Sequence, residues 1–595
     1  MGAHLTAGDG LIPSLHMAGR QLAGGDGQGP LLFATVGLSF WGGVEPQSGV
    51  VIDSHHPLCG ESLAGRVLAI PSGRGSCTGS SVLLELILND HAPAALVLAE
   101  ADEILSLGAL VAELIFQRQL PVLCIGHQAF AQLERGGFAR LEQGRLSLFD
   151  AAPADHWQPG QMPEAAPSQL RLSAGDRALL AGEHGQAARV AMQLVLRLAE
   201  LQGAEELLDI SQAHIDGCIY TGPASLRFAQ QLLAWGARVR VPTSLNAISV
   251  DQRQWRSLGI DPALGEPASA LGDAYMAMGA ALSFTCAPYL LDSAPKAGEQ
   301  LVWAESNAVV YANSVLAART QKYPDFLDIC IALTGRAPRS GCHLDAGRHA
   351  SLLLEVEPPQ ALDDSFWPLL GYQAGLLCGS AIPVLAGLEH SGASSDELKA
   401  FGAAFATTSA APMFHIAGIT PEAPDVASAL GGQAPQRRLR IGRAELLAAW
   451  RQLNGAAGGS VALVALGNPH FSLSEFARLA RLCAGRSRHT DCALVITCGR
   501  AVLEQASAAG HVASLQAFGA QLLSDTCWCM LGEPVLPRQA RRLMTNSAKY
   551  AHYAPGLVGR QVHFGSLAAC VEAACSGHNP GRPPSWLASP RSAGA

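Results

Sequence analysis

Three cysteines along the chain share a setting that could support metal chemistry. The dipeptide Thr-Cys occurs in "SFTCAPY", "VITCGR" and "SDTCWC", each time after a short run that can form a strand, and it supplies Cys286, Cys498 and Cys527. Ligands of open α/β sheets bind at the carboxyl ends of strands, and three thiolates converging there would suit an iron–sulfur cluster with one open iron position. The alternative is that they are ordinary buried thiols. Lesser candidates are Cys59, Cys77, Cys342 and Cys529.

A glycine-rich loop, "PSGRGSCTGSS" at residues 71–81, lies between a strand-like run and a helix-like run. Its glycines allow backbone N–H groups to approach an anion, the following helix offers a positive N-terminus, and Arg74 adds a bidentate donor. The spacing fits neither a Walker phosphate loop nor a dinucleotide fingerprint, because no Lys follows Gly79 and Thr78 stands where a third glycine is needed. The alternative is a tight turn with Ser80 as the helix N-cap.

Small polar side chains cluster in segments that otherwise have an apolar character. In "ESNAVVYANSVLAART", residues 305–320, steps of seven residues return to one helix face, which places Ser306 and Asn313 together with Asn307 beside them. Buried polar groups need partners, which a polar active site would supply; a helix–helix contact through small residues is the alternative. Asn246, Lys549 and His552 are candidates of the same kind, and together these clusters favour one large polar cavity.

Bulk composition indicates a large globular protein. With 595 residues, of which 49% are hydrophobic and 15% charged, the chain is long enough for roughly three to five domains. The net charge of −9 argues against a nucleic-acid surface, and no apolar run reaches the ~18 residues that span a membrane. Fifteen cysteines scattered along so long a chain fit reduced thiols in a cytoplasm better than a disulfide framework.

The alternation of strand-like and helix-like runs predicts an α/β protein of several parts. Residues 1–30 are rich in glycine and read as a flexible lead-in, and residues 31–150 as one compact β/α domain. The Pro- and Ala-rich residues 151–169 are typical of a linker. A larger unit follows over residues 170–580, and residues 581–595 form the expected tail.

Taken together, these motifs resemble the aconitase X family in its single-polypeptide form. The N-terminal part carries "FWGGVEPQSGVVIDSHHPLCGESLAGRVLAIPSGRGSCTGSSVLLEL". The remainder carries "AHIDGCIYTGPA", "VPTSLNAISVD", "TCAPY", "ESNAVVYANSVLAART", "GITPEA", "SDTC" and "TNSAKYAHY". The resemblance covers roughly residues 30–580. It implies a multidomain aconitase-like fold, in which an N-terminal swivelling β/α domain closes over a large α/β catalytic body.

The resemblance also implies a cofactor and a catalytic base. Members are similar to aconitases, which remove water with an iron–sulfur cluster held by three cysteines. Cys286 and Cys527 match cysteines of the family, and Cys498 completes the expected ligand set. A 2Fe–2S cluster is favoured, with 3Fe–4S and 4Fe–4S as the alternatives. Ser76 matches the serine base of the aconitase swivelling domain, and Arg74 with the backbone amides of the loop would offset its negative charge as an alkoxide.

The expected activity is that of a hydro-lyase acting on a small hydroxy acid. Single-chain members of the family are similar to enzymes that convert cis-3-hydroxy-L-proline into Δ1-pyrroline-2-carboxylate, and two-chain archaeal members to mevalonate 5-phosphate dehydratases. The fused chain and the loop sequence "GRGSCTGSSV" favour the first reaction. The alternatives are mevalonate 5-phosphate as substrate, a non-enzymatic protein that binds a small acid, and a nucleotide-binding enzyme. The expected substrate-binding residues are Gly75, Asn246, Ser306, Asn307, Asn313, Lys549 and His552.

Overall fold

Parallel strands flanked by helices form the framework of the chain, as the alternating runs predict. The computed structural model describes residues 13–135, 137–160, 170–359 and 361–588. Within these ranges an N-terminal domain is followed by a body of three successive units, which confirms the expected multidomain α/β fold. None of the helices in the same ranges combines the length and the apolar character needed to cross a bilayer.

The N-terminal domain is built on an eight-stranded mixed sheet in the order β1-β8-β7-β3-β4-β5-β6-β2. The apolar runs "VLAI" and "ALVL" become β4 and β5, which are parallel and fully buried because helices cover the sheet. The elements are β1 Leu15–Ala18, β2 Arg20–Ala23, β3 Gly27–Phe33, β4 Val67–Ile70, α1 Gly79–Leu88, β5 Ala95–Leu98, α2 Glu103–Phe116, β6 Val122–Cys124, α3 His127–Phe130, β7 Phe138–Glu142 and β8 Arg145–Phe149.

The first unit of the body contains a small parallel sheet in the order β11-β10-β12 and an antiparallel pair of β9 with β13. Its first helix begins with a capping box, in which the Ser173 hydroxyl and the Asp176 carboxylate satisfy each other's backbone N–H groups. The elements are α4 Ala174–Ala181, α5 Gln186–Leu201, β9 Leu207–Asp209, β10 Ala213–Ile215, α6 Pro223–Ala234, β11 Thr243–Leu245, α7 Pro262–Ala277, β12 Val302–Trp303, α8 Ser306–Ser314, α9 Leu327–Thr334 and β13 Arg336–Pro338.

The second unit has a four-stranded parallel sheet in the order β16-β15-β14-β17. Its two long helices, α10 and α11, pack against each other and carry much of the aromatic core, including Phe366, Phe401 and Phe405. The elements are β14 Leu352–Val356, α10 Phe366–Cys378, β15 Pro383–Ala386, α11 Ser395–Thr408, β16 His415–Ile416, α12 Val426–Ala429, β17 Arg437–Ile441 and α13 Arg443–Leu453.

The third unit has a five-stranded parallel sheet in the order β21-β20-β19-β22-β23, with β18 and β24 paired at its side. The predicted strand runs "GSVALVALG", "CALVIT" and "AQLLSD" become β18 with β19, β20 and β21. The elements are β18 Gly459–Ser460, β19 Leu463–Leu466, α14 Leu473–Cys483, β20 Ala493–Thr497, α15 Arg500–Ala508, α16 His511–Phe518, β21 Ala520–Leu523, β22 Arg542–Thr545, α17 Ala548–Val558, β23 Gln561–Phe564, α18 Leu567–Ser576 and β24 His578–Asn579.

The N-terminal domain is docked against the body. One continuous cluster of buried apolar side chains extends from α1 and α2 into the helices of the body, and α1 packs directly on α6. At this contact the Glu85 carboxylate accepts a hydrogen bond from the backbone N–H of Ala224 at 2.8 Å. The N-terminal domain and the body therefore share a buried interface.

The N-terminal domain begins earlier in the chain than the sequence predicts. Residues from 15 onward, which were expected to be a flexible lead-in, form strands of its sheet. The expected lead-in over residues 1–30 supplies β1, β2 and the first part of β3, which pair with β8, β6 and β7. Gly27 and Gly29 are residues of β3 at which backbones approach closely; a Cβ on Gly27 would lie 2.1 Å from the carbonyl oxygen of Ala94. Residues 1–12 lie outside the described residues.

The expected linker and tail also make specific contacts. In the linker over residues 151–169, Asp155 forms a bidentate ion pair with Arg140 of β7, at 2.8 and 2.6 Å; residues 161–169 lie outside the described residues. In the tail over residues 581–595, Leu587 is fully buried and its carbonyl oxygen accepts from Arg443. Residues 589–595 are outside the described part of the chain.

Leu22→Ala tests whether β2 belongs to the folded domain. The Leu22 side chain is 2% exposed and belongs to the main apolar cluster, so its truncation should cost about 2–4 kcal/mol of unfolding free energy. Thermal and urea unfolding of the purified variant provide the measurement. Leu114→Ala, on α2 at a position 36% exposed, is the control and should cost under about 1 kcal/mol. Equal losses at the two positions would contradict the role of β2.

Candidate active site

Two of the three predicted thiols lie side by side between the first and third units of the body. Cys286 and Cys527 pack with Ala247 in a small buried cluster, and their sulfur atoms are hydrogen-bonded. Cys529 is the third member, since its thiol also hydrogen-bonds to Cys527. The thiols thus contact one another in a row, with Cys527 in the middle.

Cys498, the third thiol expected from the sequence, is not part of this row. Its backbone N–H donates to the carbonyl oxygen of Leu523 at 3.1 Å, so the β20–β21 ladder continues through it. The Cys498 thiol also contacts that oxygen and packs in the apolar core of the third unit. A short 3₁₀ turn over Trp528–Met530 instead brings Cys529 to Cys527.

Hydrogen bonds favour a thiolate at Cys527. The thiols of Cys286 and Cys529 donate to its sulfur and hold the pKa of Cys527 well below the usual value, despite its complete burial. The side-chain amide of Asn468 adds a bond at 2.8 Å to Cys527 and one at 3.4 Å to Cys529. The backbone N–H of His470 donates to the Cys286 sulfur at 3.3 Å.

The donor set fits an iron–sulfur cluster by its chemistry. Three buried cysteine sulfurs, with N–H groups aimed at each of them, are the ligands and the surroundings that such clusters use. Among the residues that the structure describes, no group of three His, Cys, Asp or Glu side chains is arranged to hold a single metal ion.

The carboxyl ends of the parallel strands in the first unit supply the polar groups beside the thiols. Asn246 follows β11, Asp216 follows β10, and Glu305 comes two residues after β12. Because these strands are neighbours in one sheet, the three side chains meet at the same edge. The Asn246 amide donates to Asp216 and, at 3.2 Å, to Glu305.

A buried ion pair joins this edge to the third unit. Lys549, at the start of α17, donates to the Glu305 carboxylate at 2.9 Å. Burial opposes ionisation of Glu305, but the attraction of Lys549 together with the hydrogen bonds from Lys549 and Asn307 outweighs it and holds the pKa of Glu305 below its usual value. Asn307 donates to Glu305 at 2.6 Å and to the carbonyl oxygen of Cys286 at 2.9 Å, and so links the pair to the thiols.

The glycine-rich loop places Ser76 where the N-terminal domain meets the body. Ser76 is 5% exposed, and its hydroxyl lies 3.0 Å from that of Thr78. Gly75 has a φ of +80°, and a Cβ there would lie 2.7 Å from the Ser39 hydroxyl and 2.8 Å from that of Tyr553, so only glycine fits. Thr78, and not the predicted Ser80, occupies the N-cap position of α1.

Arg74 and His552, two more of the predicted residues, also lie where the N-terminal domain meets the body. Arg74 is paired within its own domain. The Arg74 guanidinium contacts the Asp53 carboxylate of its own domain at 2.7 Å. His552 stacks on His55 at 5.0 Å between ring centroids and bonds the Tyr372 hydroxyl at 3.0 Å. Burial lowers the pKa of His552 to about 3, so the ring is neutral at pH 7.

The structure does not bring Asn313, another expected substrate-binding residue, into contact with the thiols or with Ser76. Helix α8 ends at Ser314, so residues 315–320 do not extend the expected polar face. The Asn313 amide donates to the carbonyl oxygens of Thr320 and Pro412, and its own oxygen accepts from Arg348. Ser306, by contrast, is buried at the first position of α8, beside the Glu305 and Asn307 contacts.

Asp216 and Glu305 are the important residues that sequence reasoning missed. Both lie in quoted motifs, "AHIDG" and "ESN", at the ends of short apolar runs. A carboxylate directly after a buried strand is the signal that could have found them, because parallel strands present their carboxyl ends to a shared ligand site.

Asn313→Ala should destabilise the protein and leave catalysis nearly unchanged. The variant removes several buried hydrogen bonds, which should cost about 2–4 kcal/mol, but none of them reaches the thiols or Ser76. Thermal unfolding and steady-state kinetics are the measurements, with Asn307→Ala as the matched variant that should lose turnover. A lowered kcat for Asn313→Ala with unchanged stability would return Asn313 to the site.

Comparisons with known proteins agree with this architecture. The aconitase X swivel domain matches residues 16–148, and the first, second and third aconitase X domains match residues 169–346, 350–451 and 461–576. The chain is 63% identical to the cis-3-hydroxy-L-proline dehydratase of Pseudomonas aeruginosa over 569 residues, or 96% of this chain and 98% of the relative. It is 52% identical to the enzyme of that name from Hypocrea jecorina over 588 residues, covering 97% and 99%.

A solved structure shares the fold of the body. Aconitase X from Thermococcus kodakaraensis in its holo form has a TM-score of 0.61 and 27% identity, and the match covers 68% of this chain and 100% of that one. The swivel match also begins close to β1, in agreement with the corrected boundary of the N-terminal domain. This chain belongs to the aconitase X family.

Proposed function

We propose that this dehydratase removes water from cis-3-hydroxy-L-proline and so forms Δ1-pyrroline-2-carboxylate. The observation that carries the proposal is the near full-length similarity to two dehydratases named for that substrate. The first product is an enamine, which tautomerises to the cyclic imine. The fifteen free cysteines are in keeping with a reducing cytoplasm as the location.

The charges around the site favour an amino acid over a phosphorylated substrate. Mevalonate 5-phosphate needs cations that are free to bind a phosphate. Arg74 is paired with Asp53 and Lys549 with Glu305, and burial lowers the pKa of Lys322, whose ammonium donates to a backbone carbonyl. The secondary ammonium group of a proline ring, in contrast, suits the buried carboxylates at the sheet edge.

Cys286, Cys527 and Cys529 would hold the iron–sulfur cluster, for which 2Fe–2S remains the favoured form. When bound, the cluster supplies a Lewis acid for the 3-hydroxyl group of the substrate. Asn468 and the His470 amide orient and stabilise the sulfurs. Lys549 and Glu305 fix the charge beside them.

Ser76 is the proposed base for the proton at the α carbon. Its hydroxyl oxygen accepts from the backbone N–H of Thr78 at 3.3 Å, and this donor stabilises negative charge on the oxygen. The closed domains bury Ser76 and exclude water from it. Gly75 leaves no side chain between the loop and Tyr553.

Ser76→Ala should abolish turnover of cis-3-hydroxy-L-proline and retain the iron content. Loss of the base should lower kcat by at least about 10²–10⁴-fold, while the thiols are untouched. An assay of hydroxyproline isomers and mevalonate 5-phosphate on anaerobically purified protein measures both substrate choice and rate. Ser72→Ala, in the same loop, is the control and should keep its rate. Activity near the wild-type level in Ser76→Ala would refute the assignment.

Cys529→Ser and Cys498→Ser distinguish the two candidate ligand sets. Cys529 contacts Cys527, whereas Cys498 packs in the core of the third unit. We expect Cys529→Ser to lose most of its iron, acid-labile sulfide and visible absorption, and Cys498→Ser to keep them. The reverse result would restore Cys498 as the third ligand.

A further inference from the structure

A chain of two hydroxyl groups and one carboxylate crosses from the N-terminal domain into the body. The Ser76 and Thr78 hydroxyl oxygens are 3.0 Å apart, and the Thr78 hydroxyl donates to Oδ2 of Asp216 at 3.1 Å. A carboxylate only accepts hydrogen bonds, so the single Thr78 proton is directed to Asp216. The Ser76 hydroxyl must therefore be the donor to Thr78.

The Thr78 hydroxyl takes part in this series of hydrogen bonds and does not cap helix α1. Thr78 stands at the N-cap of α1, where a threonine hydroxyl ordinarily accepts a backbone N–H and contributes about 1 kcal/mol. Its side chain makes no such capping bond. Thr78 is completely buried, so its contacts with Ser76 and Asp216 are what satisfy its hydroxyl.

The surroundings of Asp216 suit a proton acceptor. Asp216 is completely buried, and Glu305, Asp328 and Asp325 face it from neighbouring elements. Burial raises the pKa of Asp216 well above its usual value, and the Glu305 and Asp328 carboxylates raise it further. Lys549 is the cation that opposes this effect.

Asp325 is the carboxyl group that neighbours Asp216 on the side of the N-terminal domain's Ser81. The Asp325 carboxyl is within hydrogen-bonding reach of Asp216, and this contact raises the pKa of Asp325 further above its already raised value. Among the described residues, one side-chain oxygen of Asp325 is buried without a hydrogen-bond donor, whereas the other accepts a hydrogen bond from the Ser81 hydroxyl at 2.7 Å. Two buried carboxyl groups this close disfavour a second negative charge, so the pair holds a proton more readily than an isolated carboxylate does.

We infer that Thr78 and Asp216 form a relay that withdraws the hydroxyl proton of Ser76 and thereby makes Ser76 a base. The inference rests on the proposed function, because it concerns the same proton transfer. Thr78 and Asp216 act through Ser76 and are positioning residues. Since Thr78 is on the N-terminal domain and Asp216 on the body, the relay is complete only when the two are docked. Domain closure therefore activates the base as well as excluding water.

The relay accounts for every proton of the dehydration. The Ser76 O–H bond breaks as its proton passes to Thr78, whose own proton passes to Asp216. The Ser76 oxygen then takes the proton from the α carbon; the C–H electron pair forms the C=C bond, and hydroxide leaves from C3. Ser76 gives its proton to that hydroxide, which departs as water, and Asp216 returns the stored proton through Thr78. The enzyme is then in its starting state.

Thr78→Val and Thr78→Ser test the relay with nearly the same side-chain volume. Thr78→Val removes the hydroxyl, and we expect kcat to fall by about 10²-fold or more, with KM within about threefold and unchanged iron content. Thr78→Ser restores a hydroxyl and should recover most of the rate. In Thr78→Val the kinetic isotope effect on substrate deuterated at the α carbon should also increase, because proton abstraction becomes slower. Neither the rescue nor the isotope effect is expected from a purely structural loss.

Asp216→Asn and the double variant complete the test. We expect Asp216→Asn to lose kcat about as much as Thr78→Val, and Asp216→Asn with Thr78→Val to be no slower than either, since groups that act as one unit are not additive. A kcat within threefold of wild type for Thr78→Val, or Thr78→Ser as slow as Thr78→Val, would overturn the relay even if Asp216→Asn did not fold. Wild-type protein that dehydrates no hydroxyproline isomer would overturn the proposed function and the relay together. An inactive Ser76→Ala beside an active Thr78→Val would overturn the relay alone.

Discussion

The buried ion pair of Lys549 and Glu305 is the contact on which the arrangement of the site depends. It joins the third unit of the body to the first, and it lies among the Cys527 thiolate and the Asp216 carboxylate. Several negative charges in a buried space are tolerated only if a cation is fixed beside them with its hydrogen bonds satisfied. Without Lys549 the anionic forms that the chemistry needs would give way to neutral ones.

The site is made by the edges of two sheets and by one loop of the N-terminal domain. Asn246, Asp216 and Glu305 come from the carboxyl ends of three adjacent strands in the first unit. Cys286 belongs to the same unit, whereas Cys527 and Cys529 come from the third unit. The glycine-rich loop closes over them and connects through Thr78. A continuous series of hydrogen bonds therefore leads from Ser76, through Asp216 and Glu305, to the backbone at Cys286, so that the base and the thiols are held in one network.

Much of this could be predicted from the sequence, because buried strands and helices have clear periodicities. The strands around the glycine-rich loop were accessible in that way. The convergence of Cys286 with Cys527 followed from their shared Thr-Cys setting, and the family from the resemblance of its motifs. The direction in which a side chain points could not be predicted. Cys498 follows its strand as predicted, but the β20–β21 hydrogen-bond ladder continues for one more residue, and the thiol therefore packs in the core. Asn313 was misassigned because its partners lie as far away as Pro412, and Asp216 gained its role only from a contact across two domains.

The most direct test of the central claim is a crystal structure of anaerobically purified protein with L-proline, which lacks the leaving hydroxyl group. The account expects iron on the sulfurs of Cys286, Cys527 and Cys529, and the α carbon of the ligand facing the Ser76 hydroxyl. Absence of iron from these sulfurs, or a ligand whose α carbon faces away from Ser76 in the closed protein, would contradict it.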